Sequence, residues 1–196
     1  IYAMDESGAK NLCPFCRTPY AISEEEEVER TEKLMEKGNA YAFYMLAGCY
    51  ERGSHGLPQN QAKTNELYLK AGELGCADAY YNLGHSYHYG DGVEIDKKKA
   101  MHYFELAAMN GNVKARNNLG VIEVQAGNLL RGMKHFILAA RAGHDTSLNY
   151  VKTGFMKGWV TKEEYAQALR AYHDLEMKSE ARDKAEDVMA QHLAAS

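Results

Sequence analysis

Small and apolar residues recur along most of this chain at three- and four-residue spacing, with charged and amide residues between them and glycines dividing the stretches. That spacing places the apolar positions on one face of a helix and predicts amphipathic helices throughout. First helices of successive units are expected near 39–52, 76–89, 112–126 and 145–157, and second helices near 60–74, 96–110 and 128–142. Asn60 and Asp96 stand where an N-cap accepts a hydrogen bond from the free amides of the first turn, each worth about 1 kcal/mol. Gly75, Gly111 and Gly143 stand where a second helix must end in the left-handed conformation. Ser23 with Glu26, and Thr161 with Glu164, fit capping boxes that open a helix over 24–37 and a long terminal helix running to about Ala190. Both are expected to cover the ends of an array, the terminal one either capping it or reaching beyond it.

The helices come in a repeating pair. Ala42-x3-Leu46-Ala47-x2-Tyr50-x2-Gly53 recurs as Ala79-x3-Leu83-Gly84-x2-Tyr87-x2-Gly90 and again as Ala115-x3-Leu119-Gly120, a period of 37 and then 36 residues (79 − 42 and 115 − 79). The second half of the unit ends in Ala71-Gly72-x2-Gly75, Ala107-Ala108-x2-Gly111 and Ala139-Ala140-x2-Gly143. The last interval is 32 residues (139 − 107), so the third unit has lost four, and they come from the loop between its helices. Leu46, Leu83, Leu119, Tyr50 and Tyr87 are expected to fill the space between helices, while the paired alanines allow close approach. No single pair buries its apolar face alone, so stacking must close the core.

The motif A-x3-L-G-x2-Y-x2-G-x-G-V-x2-D-x2-K-A-x6-A-A-x2-G, intact from Ala79 to Gly111, resembles the Sel-one-like repeat of the tetratricopeptide superfamily. The resemblance implies an all-α fold, an α/α superhelical solenoid of helix-turn-helix repeats. Its units would be a capping helix at 24–37, repeats at about 39–75, 76–111 and 112–143, and a divergent repeat over 145–195. It also implies that the first helix of each unit lines a concave face that binds another protein or peptide. On that basis Tyr81, His85, His88 and Tyr89 face the groove, with Tyr44, Gly48, Glu51 and Arg52 from the first unit and Asn117, Val121, Val124 and Gln125 from the third. Asn82 and Asn118 are weaker candidates for gripping a peptide backbone.

Charge and composition narrow the function. A formal net charge of -4 supplies no field that draws the chain to phosphate backbones, and no apolar run approaches the length needed to span a bilayer. The opening Ile1-Tyr2-Ala3-Met4 has no basic n-region and no initiator methionine, so the chain reads as an intracellular fragment from a reducing compartment. No nucleophile elbow, phosphate loop or H-E-x2-H pattern occurs, and no enzyme activity is expected. Cys13-Pro14-Phe15-Cys16 has the spacing of a zinc knuckle but only half of a tetrahedral ligand set. Three readings stand for it: the C-terminal half of a RING-like finger within a remnant over 1–22, a zinc completed by distant or external ligands, or a metal-free turn. The expected function is an adaptor or scaffold that catalyses nothing, with no cofactor in this chain. The alternatives are a substrate-recruiting part of a RING-type ubiquitin ligase and a structural subunit of a larger assembly.

Overall fold

The structure, a computed structural model, describes residues 23–194. Cys13 and Cys16, with the finger remnant expected over 1–22, lie outside the described residues. The described residues form nine helices and no strand: α1 (Glu24–Glu36), α2 (Ala40–Arg52), α3 (Gln61–Glu73), α4 (Ala77–Tyr89), α5 (Lys97–Met109), α6 (Val113–Gln125), α7 (Leu129–Arg141), α8 (Asp145–Met156) and α9 (Lys162–Ala194). The expected ranges are recovered to within a residue at the repeat helices, because the expectations counted the caps as helical. The described residues fall into two compact units, divided between Leu74 and Gly75.

In the first unit α2 packs against both α1 and α3. Ser23 Oγ accepts from the Glu26 amide at 3.2 Å, Asn39 Oδ1 from Ala42 at 3.1 Å and Asn60 Oδ1 from Lys63 at 3.0 Å, so each helix starts on a side-chain cap. Ala42, Leu46 and Ala47 of α2 are buried together with Leu67, Tyr68 and Ala71 of α3. The fully buried Thr64 hydroxyl sits within bonding distance of the carbonyls of Asn60 (3.0 Å) and Ala47 (3.3 Å), so its polar group is not orphaned.

In the second unit the hairpins α4–α5 and α6–α7 stack in chain order, followed by α8 and the start of α9. One core cluster joins Phe104, Ala107, Ala108, Ala115 and Leu119, and another joins Met133, Phe136, Ala140, Val151, Val160 and Ala168. The Leu-Gly pair of the repeat has a steric reason here. A Cβ on Gly84 would lie 2.7 Å from the Phe104 ring, and one on Gly120 would lie 2.5 Å from the Phe136 ring, so only glycine lets each aromatic seat against the first helix.

The shortened third loop is compensated locally. In the longer loops the amides of Asn60 and Asp96 donate to the carbonyls of Tyr50 and Tyr87 at 2.9 Å, and in the short one Asn128 donates to the Glu123 carbonyl at 2.8 Å. Glu123 occupies the repeat position of Tyr50 and Tyr87. Its buried carboxylate accepts from Asn128 Nδ2 at 2.8 Å and pairs with Arg131 at 2.9 Å, which offsets the cost of removing a charge from water.

A full capping box opens α9: the Thr161 amide donates to Glu164 Oε2 at 2.9 Å and the Glu164 amide to Thr161 Oγ1 at 3.2 Å. Reciprocal bonding to Thr161 also holds the Glu164 carboxyl below its ordinary range. Tyr172 donates to Asp145 at 2.7 Å and fastens α9 to α8, and that carboxylate raises the phenol to about 12. Ala168 is buried against the stack, whereas Leu175 and Met177 are exposed.

Candidate protein-binding recess

Within the second unit, the first helices α4 and α6 flank a recess of about 170 Å³. Its lining is His85, His88 and Tyr89 from α4, Asn118, Val121, Ile122 and Gln125 from α6, and Phe104 of α5. Residues four apart share a helix face, which brings His85 over Tyr89 and Val121 over Gln125. Phe104 is 2% exposed, with its ring centroid 5.5 Å from that of His85 and 5.9 Å from that of Tyr81, so it forms a fixed apolar floor. Tyr89, 63% exposed, stacks on His85 at 5.5 Å and forms a rim that a partner can cover.

The polar groups are placed on this apolar frame. Asn118 Nδ2 lies 3.3 Å from His85 Nε2, an arrangement that suits an amide donating to a neutral imidazole. His88 gives its carbonyl to Lys97 Nζ at 2.6 Å, while its buried Nδ1 has no hydrogen-bond partner among the described residues. Burial lowers the pKa of His85, helped by His88 and opposed by Asp91. Burial also lowers His88, with Lys97 adding to the effect. Tyr81 is shifted up, mainly by burial and against its bond with Asn118.

Of the residues expected to face a groove, His85, His88, Tyr89, Val121 and Gln125 line this recess together. Tyr81 sits beside it, half-buried on the Phe104 core, so its truncation would register in stability as well as in contact. Asn117 is spent inside the unit, where its Oδ1 accepts from the Ser147 hydroxyl at 2.9 Å. Tyr44, Glu51 and Arg52 belong to the first unit. There Tyr44 meets the Tyr41 and Tyr68 rings at 6.0 and 5.7 Å, Glu51 accepts from the Tyr68 hydroxyl at 3.2 Å, and the Arg52 guanidinium lies across Gly48. Among the described residues no group of three His, Cys, Asp or Glu side chains could hold a metal ion. Phe104 and Ile122 were not expected at the site. The signal for Phe104 was available, because an aromatic stands three residues before the first small residue of each second-helix ending: Tyr68, Phe104 and Phe136.

The histidines give a pH prediction. The pKa values of His85, His88 and His135 are all lowered, in each case chiefly by burial, so the folded unit binds fewer protons than the unfolded chain just below the ordinary histidine value. Their neutral forms therefore favour folding fully above about pH 6.5, and that contribution is lost as pH falls through the lowered values. Urea unfolding is expected to show a lower midpoint at pH 5.5 than at pH 7.5, with a shallower pH slope in a His85→Asn, His88→Asn, His135→Asn variant. An unchanged slope would mean that these side chains remain hydrated in the fold.

A family model described as Sel1 repeat matches residues 40–76, 77–112 and 114–144. HRD3B of Arabidopsis thaliana, an ERAD-associated E3 ubiquitin-protein ligase component, is 32% identical over 115 residues, which is 57% of this chain and 18% of that protein. The chain therefore spans less than a fifth of that relative's length. A Sel1 repeat protein from Oxalobacter formigenes superposes with a TM-score of 0.66 at 21% identity, covering 78% of this chain and 65% of that one. The protective antigen c5321 of uropathogenic Escherichia coli superposes with a TM-score of 0.62 at 28% identity, covering 73% and 33%.

Proposed function

Because this chain belongs to the Sel1 repeat family, we propose that it is a protein-interaction scaffold that seats a segment of another protein across the recess between α4 and α6. One observation carries the reading: an aromatic rim, a buried apolar floor and polar side chains from two successive repeats meet at one place. Phe104, Val121 and Ile122 fit an apolar side chain of the partner, and Asn118 and Gln125 fit the amides beside it.

The test uses a Tyr89→Ala, Gln125→Ala variant, since both side chains are exposed and neither belongs to the core clusters. Its thermal midpoint is expected to match the wild type while it loses a protein that both the wild type and a Leu130→Ser control capture from lysate. Equal capture by all three would move the interface away from this recess.

A second reading draws on the plant relative's name: the chain would recruit substrate within a ubiquitin-ligase assembly. In that reading Cys13 and Cys16 would supply half the ligands of a tetrahedral zinc, the rest coming from outside the described residues.

A further inference from the structure

Three separate parts of the first unit bring an acid, an imidazole and a thiol into line. His55, in the loop after α2, lies with Nε2 3.4 Å from Glu27 Oε2 of α1 and Nδ1 3.6 Å from Cys49 Sγ of α2. His55 has a φ of 59°, a left-handed conformation that histidine adopts more readily than most residues. With its proton on Nε2, donated toward Glu27, the ring presents the Nδ1 lone pair to the thiol, and the Ser54 hydroxyl at 3.0 Å shares that acceptor. The two nitrogens serve opposite partners, so the trio forms a relay and encloses no common point for a metal.

This trio lines a recess of about 70 Å³, with Thr31, Met45 and Arg52 completing much of the wall. Cys49 is only 8% exposed, yet it forms part of the lining of this recess. The charged and titratable groups around it are Glu27 from α1, Arg52 from α2 and His55 from the loop. Cys76 is half-buried, and no imidazole is bonded to it among the described residues, so it supplies an internal reference.

We propose that Cys49 is a base-assisted thiol and that this recess is a modification site for low-molecular-weight disulfides. In the exchange His55 Nδ1 takes the thiol proton and the thiolate attacks one sulfur of the small disulfide. A new S–S bond forms to Cys49 as the old one breaks, and the departing thiolate takes the proton held on His55. Glu27 orients the ring and stabilises the imidazolium, as a positioning residue. The inference is independent of the scaffold reading, since it concerns the other unit and a covalent reaction.

The test treats the full chain with 2-hydroxyethyl disulfide, an uncharged probe, between pH 6 and pH 10 and follows each cysteine by peptide-level mass spectrometry. At pH 7 Cys49 is expected to exchange about tenfold faster in the wild type than in His55→Asn, which tolerates the same backbone conformation. Cys76 should not respond to the substitution. Glu27→Gln should slow Cys49 at pH 7 by a smaller factor. Equal rates in wild type and His55→Asn at pH 7, or reaction of Cys49 only in urea, would overturn the proposal. Should His55→Asn fail to fold, Glu27→Gln decides at pH 7: slower exchange at Cys49 with Cys76 unchanged supports the site, and a Cys49 rate equal to the wild type refutes it.

Discussion

Phe104→Ala is expected to destabilise the second unit by about 3–5 kcal/mol, read as a fall in urea midpoint with little change in slope. The ring is 2% exposed and contacts residues of both neighbouring first helices: it fills the space beside Gly84, meets Tyr81 and His85, and belongs to the cluster that includes Ala115 and Leu119. Truncation removes transfer free energy and leaves a cavity where the ring now stands between α5 and Gly84 of α4. Because stability in stacked repeats is nearly a sum of neighbour terms, the loss should also weaken the next hairpin. Phe104→Leu keeps most of the volume and should cost under about 1.5 kcal/mol. A loss below about 1 kcal/mol for the alanine variant would mean that the ring is not a keystone between the repeats. The floor of the recess would disappear with the ring, so partner binding should fall in Phe104→Ala and survive in the leucine variant.

Gly120→Ala sets two effects of opposite sign against each other. Helix propensity alone predicts a gain of about 1 kcal/mol. The new Cβ, however, would lie 2.5 and 2.7 Å from two atoms of the Phe136 ring, which is itself 2% exposed and backed by the Tyr150 ring at 4.5 Å. The ring has no outward path, so overpacking should win and the variant should lose about 1–3 kcal/mol. Gly48→Ala is the contrasting case. The nearest atoms its Cβ would meet are those of the Arg52 guanidinium, the first at 3.1 Å, at the far end of an exposed and flexible side chain, so propensity should dominate and stability should rise by up to about 1 kcal/mol. Adding Phe136→Leu to Gly120→Ala should recover part of the loss, with an interaction energy above about 0.5 kcal/mol in the double-mutant cycle. Two losses with no coupling would show that the ring and the glycine do not constrain each other.

The helices were readable because their causes are local. Asn60 and Asp96 cap α3 and α5 as their positions implied, with bonds to amides two or three residues ahead. Gly75, Gly111 and Gly143 hold φ of +98°, +91° and +87° just past the helix ends. The recess was legible in part. A helical face follows from spacing, so His85 with Tyr89 and Val121 with Gln125 could be paired from the sequence. Which side of that face the next hairpin would consume could not be read in the same way, and Asn117 was taken by Ser147, 30 residues further on, while Tyr81 was drawn onto Phe104.

What the sequence determined by itself was therefore the periodic part: helix placement, caps, the glycine stops, the repeat and the paired alanines that let helices approach. These depend on neighbours within a few residues, or on a pattern that every unit repeats. Only the tertiary structure decided the rest, and in each case the reason is a contact between side chains that no period specifies. Phe104 became the floor because Gly84 left room for its ring. Glu123 could replace a tyrosine because the short loop brought Asn128 and Arg131 to its carboxylate. Glu27, Cys49 and His55 met because the packing of α1 on α2 and one left-handed loop residue placed them there.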